Sequence, residues 1–355
     1  MGKQKMAAVS DMGHTLMKLS ARIDGEWTYP VVVPHALHKI PQKRWEDMVS
    51  QLRGERNAAD YVKVGDKHYV IGETAERLDH ATRAMGAARY AVDYITVQTV
   101  AMLARVSPFE SAEVALMPFY PPADSRYRKQ LARVLKGRWP VELGDGRQFM
   151  FTIDQVATLA EPVAGYFNAA LDENLNEDDK VTGGEALIVD VGGGTVNVAP
   201  VLPGGAVDYA RAHSYSMGIL DVMARLEANL RDKYSGRLQK TRHLAPDRLR
   251  EALMTYQFKG GGHALPCREE VQQAKAPLLA EIDQLYHNGS IGGPMRYDAV
   301  ILTGGGAWAL GEELRKLLDH RRIVYAAHQD EMHLANIFGG MKTFEVLLAQ
   351  GALKL

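Results

Sequence analysis

"IVDVGGGTVNV", residues 188–198, is an apolar run that ends in Asp190, passes through three glycines and a threonine, and then resumes its alternation. The pattern sets a carboxylate and a side-chain-free turn at the tip of a buried strand. The first part of the chain repeats the device. "SDMGHTLMKLSARIDGEWTYP" (10–30) and "VDVGGGTVNVAPVLPGGAVDYA" (189–210) share Asp-x-Gly at a strand end, a hydroxyl residue just after it, and a following hairpin. Asp11 and Asp190 lie half a chain apart, which predicts a duplicated domain with two similar loops facing each other across a cleft.

The residue types suit a polyphosphate. Gly13, Gly192, Gly193 and Gly194 let backbone N–H groups approach phosphate oxygens that a Cβ would hold off. Thr15 and Thr195 add hydroxyl donors, and Lys18 neutralises a phosphate if its side chain points to the loop side. Two aspartates at the same loops would repel a bare triphosphate, so they imply a hard cation, most simply magnesium held through water by Asp11 and Asp190. Any one Asp-Gly-Gly-Gly turn is ordinarily just a tight turn, and Lys18 alone reads equally as a solvated strand residue. The pairing of two such turns carries the phosphate reading.

Composition bounds the rest. The 355 residues are 46% hydrophobic and 24% charged, enough for two domains. Lys and Arg number 42 against 43 Asp and Glu, which leaves no global positive excess for holding DNA, so no direct nucleic-acid binding is expected. The single Cys267 excludes an internal disulfide and fits a reducing compartment. "MGKQKMAAVSDMG" reaches an acidic residue before a signal-length apolar core forms, and no stretch approaches the roughly 20 apolar residues of a spanning helix. The expectation is a cytoplasmic protein without a membrane partner.

Strands and helices intermix along the chain, predicting α/β architecture. Strand, loop and strand open it, and Asp24-Gly25 turns into a third strand. Helices are predicted over 41–56, 81–106 and 124–137. Pro162 suits the first turn of a helix after the strand "QFMFTID". The acidic stretch "DENLNEDDKVTGG" (172–184) is the predicted boundary. Beyond it come strand, glycine loop, strand, a Gly204-Gly205 turn and strand "AVDYA", three helices, and strand "YDAVILTGGG". Helix "LGEELRKLL", a short strand "RIVYAA" and an apolar helix from Ala335 close the chain.

"VILTGGGAWALGEELRKLL" also fits G-x-G-x-x-A at Gly304, Gly306 and Ala309, a dinucleotide-binding pattern. That pattern wants an acidic residue about 20 positions on, at the end of the next strand, and none follows "RIVYAA" until Asp330. A glycine turn against the flat face of a nucleoside fits the two-loop clamp better.

In order along the chain stand Asp11-x-Gly13-x-Thr15 with Lys18, Glu161-Pro162-x-Ala164-Gly165, Asp190-x-Gly192-Gly193-Gly194-Thr195, Thr303-Gly304-Gly305-Gly306, and Ala335-Asn336-x-x-Gly339. This series resembles the five motifs of the actin-like ATPase superfamily, over nearly the whole chain. With the compact length and "AEVALMPFYPPADSRYRKQLARVLKG", it looks most like the ParM-type prokaryotic actins that segregate plasmids and their archaeal relatives.

The resemblance implies a duplicated, ribonuclease H-like two-domain fold with nucleotide in the interdomain cleft. Domain I would be 1–178, completed by the C-terminal helix 335–355, and domain II 179–334. It implies ATP and ADP with Mg2+ as ligands, slow ATP hydrolysis, and a self-assembled filament that grows with ATP and weakens after hydrolysis. A DNA-binding adaptor protein would link that filament to a plasmid. By motif, Glu161 would orient the attacking water, Asp11 and Asp190 would hold the magnesium shell, and Lys18 would touch phosphate. Gly304, Gly305 and Gly306 would line the adenosine site, and His14 and Gly218 join the nucleotide-binding set. Glu161 reads alternatively as an acid complementing its helix dipole.

His14 departs from a small hydroxyl residue common in the family, and Asn197 from a second aspartate. A small-metabolite kinase and a non-polymerising nucleotide-binding scaffold of the same superfamily are the alternative functions. His35 and His38 lack a second ligand pair and are read as loop residues rather than a zinc site. "KGGGH" (259–263) lacks a P-loop ending and is read as a surface loop. The basic run "DKYSGRLQKTRHLAPDRLR" (232–250) is read as solvated, or as meeting acid on a neighbouring subunit.

Overall fold

The computed structural model describes residues 4–52, 55, 57–78, 91–121, 126–238, 244–260, 263–288, 291–293 and 296–355. The chain forms two units, Met1–Phe167 with Asn336–Leu355, and Asn168–Ala335. Residues 168–178, which the sequence reading gave to domain I, fall in the second unit. There Asn168 Nδ2 donates to Ala326 O at 2.6 Å.

The first unit runs β1 (Gln4–Met12), β2 (Leu16–Ile23), β3 (Glu26–Trp27), β4 (Val31–Pro34), β5 (Leu37–Ile40), α1 (Gln42–Leu52), β6 (Tyr61–Val64), β7 (Lys67–Ile71), α2 (Gly72–Glu76) and α3 (Val92–Val106). It continues with β8 (Ser111–Tyr120), α4 (Arg126–Leu135), β9 (Gly137–Leu143), β10 (Gln148–Val156), β11 (Leu159–Ala160) and α5 (Glu161–Ala170). All its strands join one sheet of order β3-β2-β1-β8-β10-β9-β6-β7-β5, with β11 beside β8 and β4 beside β2. The expected Asp24-Gly25 turn is present with φ of 52° and 93°, the doubly positive geometry that matches strand twist. The helix predicted from Ala81 is described only from Val92, since 79–90 lie outside the described residues.

Period-two alternation sends Ala7, Val9, Ala115, Met117 and Phe119 to one face of this sheet, where Ala164 of α5 and Ile337 and Phe344 of the C-terminal helix (Ala335–Ala349) cover them. The opposite alternation, Met6, Ala8, Val114 and Leu116, is equally buried. α3 and α4 pack against strands of the same sheet. Both helices whose chain crosses between the units, α5 and the C-terminal helix, are therefore anchored on a single face of the first sheet.

The second unit contains α6 (Asp179–Thr182), β12 (Ala186–Val191), β13 (Val196–Val201), β14 (His213–Tyr215), α7 (Ile219–Lys233), α8 (Ser235–Leu238), α9 (Pro246–Thr255), β15 (Gln257–Gly260), β16 (His263–Pro266), α10 (Arg268–Asn288), β17 (Ala299–Thr303), α11 (Gly305–Leu318) and β18 (Ile323–Tyr325). Its sheet has order β14-β13-β12-β17-β18. The strand expected at "AVDYA" is absent; a single bridge, Val201 to Val207, follows the glycine turn, and β14 takes the third position. Pro200 of β13 has no N–H to give a continuous partner there. "KGGGH" is also corrected: Lys259, Gly260 and His263 belong to the β15–β16 hairpin, while Gly261 and Gly262 lie outside the described residues.

One polar cluster ties this unit's helices. Tyr256 Oη donates to Glu313 at 2.5 Å, Lys275 Nζ lies 3.3 Å from the other oxygen, and the Arg268 guanidinium sits 4.5 Å from the Tyr256 ring centroid. Burial first and the Glu313 hydrogen bond second push the Tyr256 hydroxyl up to about 12, and burial pushes Tyr297 up to about 12. Burial also raises Tyr286. The folded chain keeps these protons at a pH where unfolded tyrosines, with pKa about 10, have lost them. Their contribution to stability is complete below pH ~10 and is lost as pH rises through ~10–12. Lys275, lowered by burial against the pull of Glu313, acts in the opposite direction but is a single group. The thermal unfolding midpoint is expected to fall between pH 10 and 12, and Tyr256→Phe to flatten that fall; an unchanged pH profile in the variant would rule out the cluster as a source.

Candidate functional site

In the first unit the register of β1 and β2 puts Asp11 directly opposite Lys18. Lys18 Nζ contacts Asp11 Oδ2 at 2.6 Å, with the aspartate side chain 4% and the lysine 12% exposed. Lys18, expected on a phosphate, is thus held as the partner of Asp11. The tip between them, Gly13 to Leu16, is braced from β4 and β5. The His35 Nδ1–H donates to Gly13 O at 2.6 Å, and its backbone N–H donates to Thr15 O at 2.8 Å. The carbonyl acceptor fixes the tautomer, because only a protonated Nδ1 makes that bond. Tyr94 Oη in turn donates to His35 O at 2.9 Å. Sequence reasoning treated His35 as a loop residue; the structure makes it the brace of the first loop.

Glu161 reaches the same edge of the same sheet. β1, β8 and β11 are parallel, with Ser10 opposite Pro118, Leu159 opposite Phe119 and Ala160 opposite Tyr120. Gly13 and Glu161 therefore both follow the carboxyl ends of parallel strands, two strand spacings or about 10 Å apart. Glu161 is 5% exposed and opens α5, where the helix dipole favours a carboxylate.

In the second unit Asp190 pairs in register with Asn197 on one side and Thr303 on the other, all three buried. Asn197, the position matching Lys18, accepts from Ser214 Oγ at 2.6 Å. The second loop is braced by a helix. Ile219 N–H donates to Gly192 O at 3.1 Å and Leu220 N–H to Gly193 O at 2.9 Å, so the loop caps α7. In a trans peptide the N–H points opposite to the C=O. With both carbonyls turned to α7, the N–H groups of Gly193 and Gly194 point away from it side by side, an arrangement that receives anions. Gly218 makes this possible: a Cβ there would stand 2.5 Å from Gly193 O and 2.8 Å from Gly192 O. It is a seat for the loop.

The duplication is exact in register. Met12 pairs with Met17 and Val191 with Val196, leaving four residues in each tip. Gly13 and Gly192 are equivalent, and so are their braces: the His35 imidazole in one unit and the first amide of α7 in the other. Gly304 joins β17 to α11 with φ of 81°, placing the start of that helix beside Val191. His14, Thr15 and Thr195 are half-buried at the tips.

No protein-family model matches the sequence, and no curated relative matches it. Solved structures do match. An archaeal actin homolog, Ta0583, superposes with a TM-score of 0.75 at 17% identity, covering 96% of this chain and 99% of its own. The fold is actin-like. The psk41 ParM protein matches this actin-like chain at TM-score 0.68 and 16% identity over 99% of the chain and 100% of its own length. ParM of Bacillus thuringiensis, solved with ATP, matches at 0.70 and 16% over 97% and 100%.

Each hairpin by itself offers one buried carboxylate, the donor type that magnesium takes. Mg2+ is ordinarily held by one or two carboxylates plus phosphate oxygens rather than by an all-protein cage. Among the described residues no group of three or more metal-binding side chains occurs, while Asp11 and Asp190 are single buried carboxylates at equivalent positions. Among the described residues no helix is long and apolar enough to cross a membrane.

Proposed function

We propose that this chain binds magnesium-bound ATP through its two duplicated loops, hydrolyses it slowly, and assembles into filaments in the ATP state. The observation that carries the reading is the repeated hairpin, with a buried carboxylate at the same register position and a braced tip in each unit. It is supported by likeness to the Ta0583 complex with ADP, to the ParM structure with ATP, and to a 15-stranded ParM filament from Clostridium botulinum.

The amides of Gly193 and Gly194 bind phosphate oxygens, helped by the Thr15 and Thr195 hydroxyls. Asp11 and Asp190 would hold magnesium, and the ion would supply charge neutralisation on the phosphate oxygens. Lys18, 2.6 Å from Asp11, places a positive charge beside the first loop, within the site that would receive phosphate. Glu161 orients the water that attacks the terminal phosphorus, while the bond to the bridging oxygen breaks and ADP carries that oxygen away. Gly304 to Gly306 approach the nucleoside. For the cellular role we propose DNA segregation in the cytoplasm through a DNA-binding adaptor, a reading that rests on the likeness to ParM proteins.

Titration calorimetry and sedimentation on the full chain test the proposal together. Uptake of one magnesium-nucleotide per chain and pelleting with ATP but not ADP are expected. Heat-silent titrations with both nucleotides would reject it, and binding with no pelleting at any concentration would reject the filament part.

A further inference from the structure

The segment Arg126–Pro140 carries six cations, at 126, 128, 129, 133, 136 and 138, and no carboxylate. α4 buries Leu131 and Leu135 completely and turns Lys129 and Arg133, one helical turn apart, to solvent; Lys136 and Arg138 extend the exposed face onto β9. Among the described residues these four cations make no ion pair. The basic run noted in the sequence is different. There Lys233 pairs with Glu270 at 2.6 Å, and Arg250 lies 3.6 Å from Asp247. Lys240 and Arg242 of that run lie outside the described residues.

The complement stands in the second unit. Residues 172–179 hold five carboxylates and no cation. The turn is fixed: Asp172 accepts from the N–H groups of Asn174 and Asn176 at 2.8 Å, Leu171 bridges Glu177, and Asp178 caps α6 through Lys180 N–H at 2.9 Å. Glu173, Glu177 and Asp179 are exposed and make no ion pair among the described residues. The asymmetry extends to the whole units. The first has 24 Lys and Arg against 20 Asp and Glu, and the second 18 against 23.

We propose that the cationic face of α4 and β9 docks on the Asp172–Asp179 turn of a second copy of this chain. The inference rests on the filament reading and names a contact within it. Unlike patches on one chain pair head to tail, and a contact of that kind propagates when its rotation does not close a ring. Its charges steer encounter and fix register, and salt weakens it within a Debye length of about 8 Å at 0.15 M. Insertion into a membrane does not suit α4, whose apolar side is already buried in its own unit.

Charge exchange tests this on the full chain. Lys129→Glu with Arg133→Glu makes one variant, and Glu173→Lys with Glu177→Lys the other; all four positions are exposed, and circular dichroism checks folding. Each variant alone is expected to need about 10-fold more protein to pellet with ATP. An equimolar mixture is expected to pellet as wild type does, since each reversed patch then meets its complement. If the wild type pellets and both variants pellet equally well alone, the contact is wrong while the filament reading stands. If the wild type never pellets, both fall. Retained self-assembly of the α4 variant combined with loss of duplex DNA binding, read by anisotropy, would assign the face to nucleic acid and overturn the proposal.

Discussion

Glu161→Gln is expected to lower ATP turnover by about 10²–10⁴-fold while nucleotide affinity stays within about 3-fold of wild type. The asymmetry follows from where Glu161 sits. It opens α5 at the carboxyl edge of the first sheet, about 10 Å along that edge from the Gly13 tip, so it lies outside the hairpin proposed to hold phosphate. The glutamine keeps the volume and one acceptor oxygen, which leaves the packing of Val163, Ala164 and Tyr166 in place. What it removes is the charge that, in the proposed role, polarises the attacking water. Filaments of the variant are expected to form with ATP and to persist, since in the proposed cycle disassembly follows hydrolysis. Single-turnover phosphate release alongside nucleotide titration separates the two effects. Equal loss of affinity and turnover would place Glu161 in nucleotide binding, and unchanged turnover would remove it from the chemistry.

Much of this site could be read from the sequence because its defining features are local. An Asp at the end of an apolar alternation, a four-residue tip and a resumed alternation specify a hairpin without any long-range contact, and the same pattern twice specifies the duplication. The pairing of Asp11 with Lys18 follows from register once that hairpin is accepted. His35 was not legible. It belongs to the link between β4 and β5, and nothing within its own window indicates that its ring holds Gly13 O. Gly218 was placed in the nucleotide set by resemblance, but its physical reason, the seating of the 192–193 carbonyls against α7, depends on a contact across 25 residues.

The fold was legible in outline and was missed where strands are short. β6 and β7 have four and five residues, and β9 finds its partners in β10 and β6, far apart in sequence. A period-two pattern that short does not stand out from a loop. The strand expected at "AVDYA" failed for a local reason that was visible but unweighted, the missing donor at Pro200. Charge behaved similarly. In the basic run at 232–250 Lys233 meets Glu270 and Arg250 lies near Asp247, whereas Lys129 and Arg133 of α4 make no ion pair among the described residues.

Gly304→Ala is expected to destabilise the second unit by about 2–5 kcal/mol and to abolish measurable nucleotide binding. Gly304 has φ of 81°, which costs an L side chain about 1–2 kcal/mol. The added Cβ would also stand 2.5 Å from Val191 O and collide with Asp190 Oδ1. Neither partner is a flexible surface group: Val191 is the last residue of a buried strand, and Asp190 is 4% exposed. Relief requires β12 and β17 to separate at their tips, displacing the carboxylate and the loop that follows it, at a typical overpacking cost of about 1–3 kcal/mol. Gly305→Ala is the matched control. Its Cβ would meet His333 Cβ at 3.3 Å and Cα at 3.8 Å, its φ is not positive, and alanine favours the helix it begins. The control is expected to lie within about 1 kcal/mol of wild type in stability. Urea midpoints followed by circular dichroism, with calorimetric titration of each variant, decide the matter. Equal midpoints for the two variants would mean that the β17 tip yields without moving Asp190, and the close coupling of carboxylate, glycine turn and helix start would have to be given up.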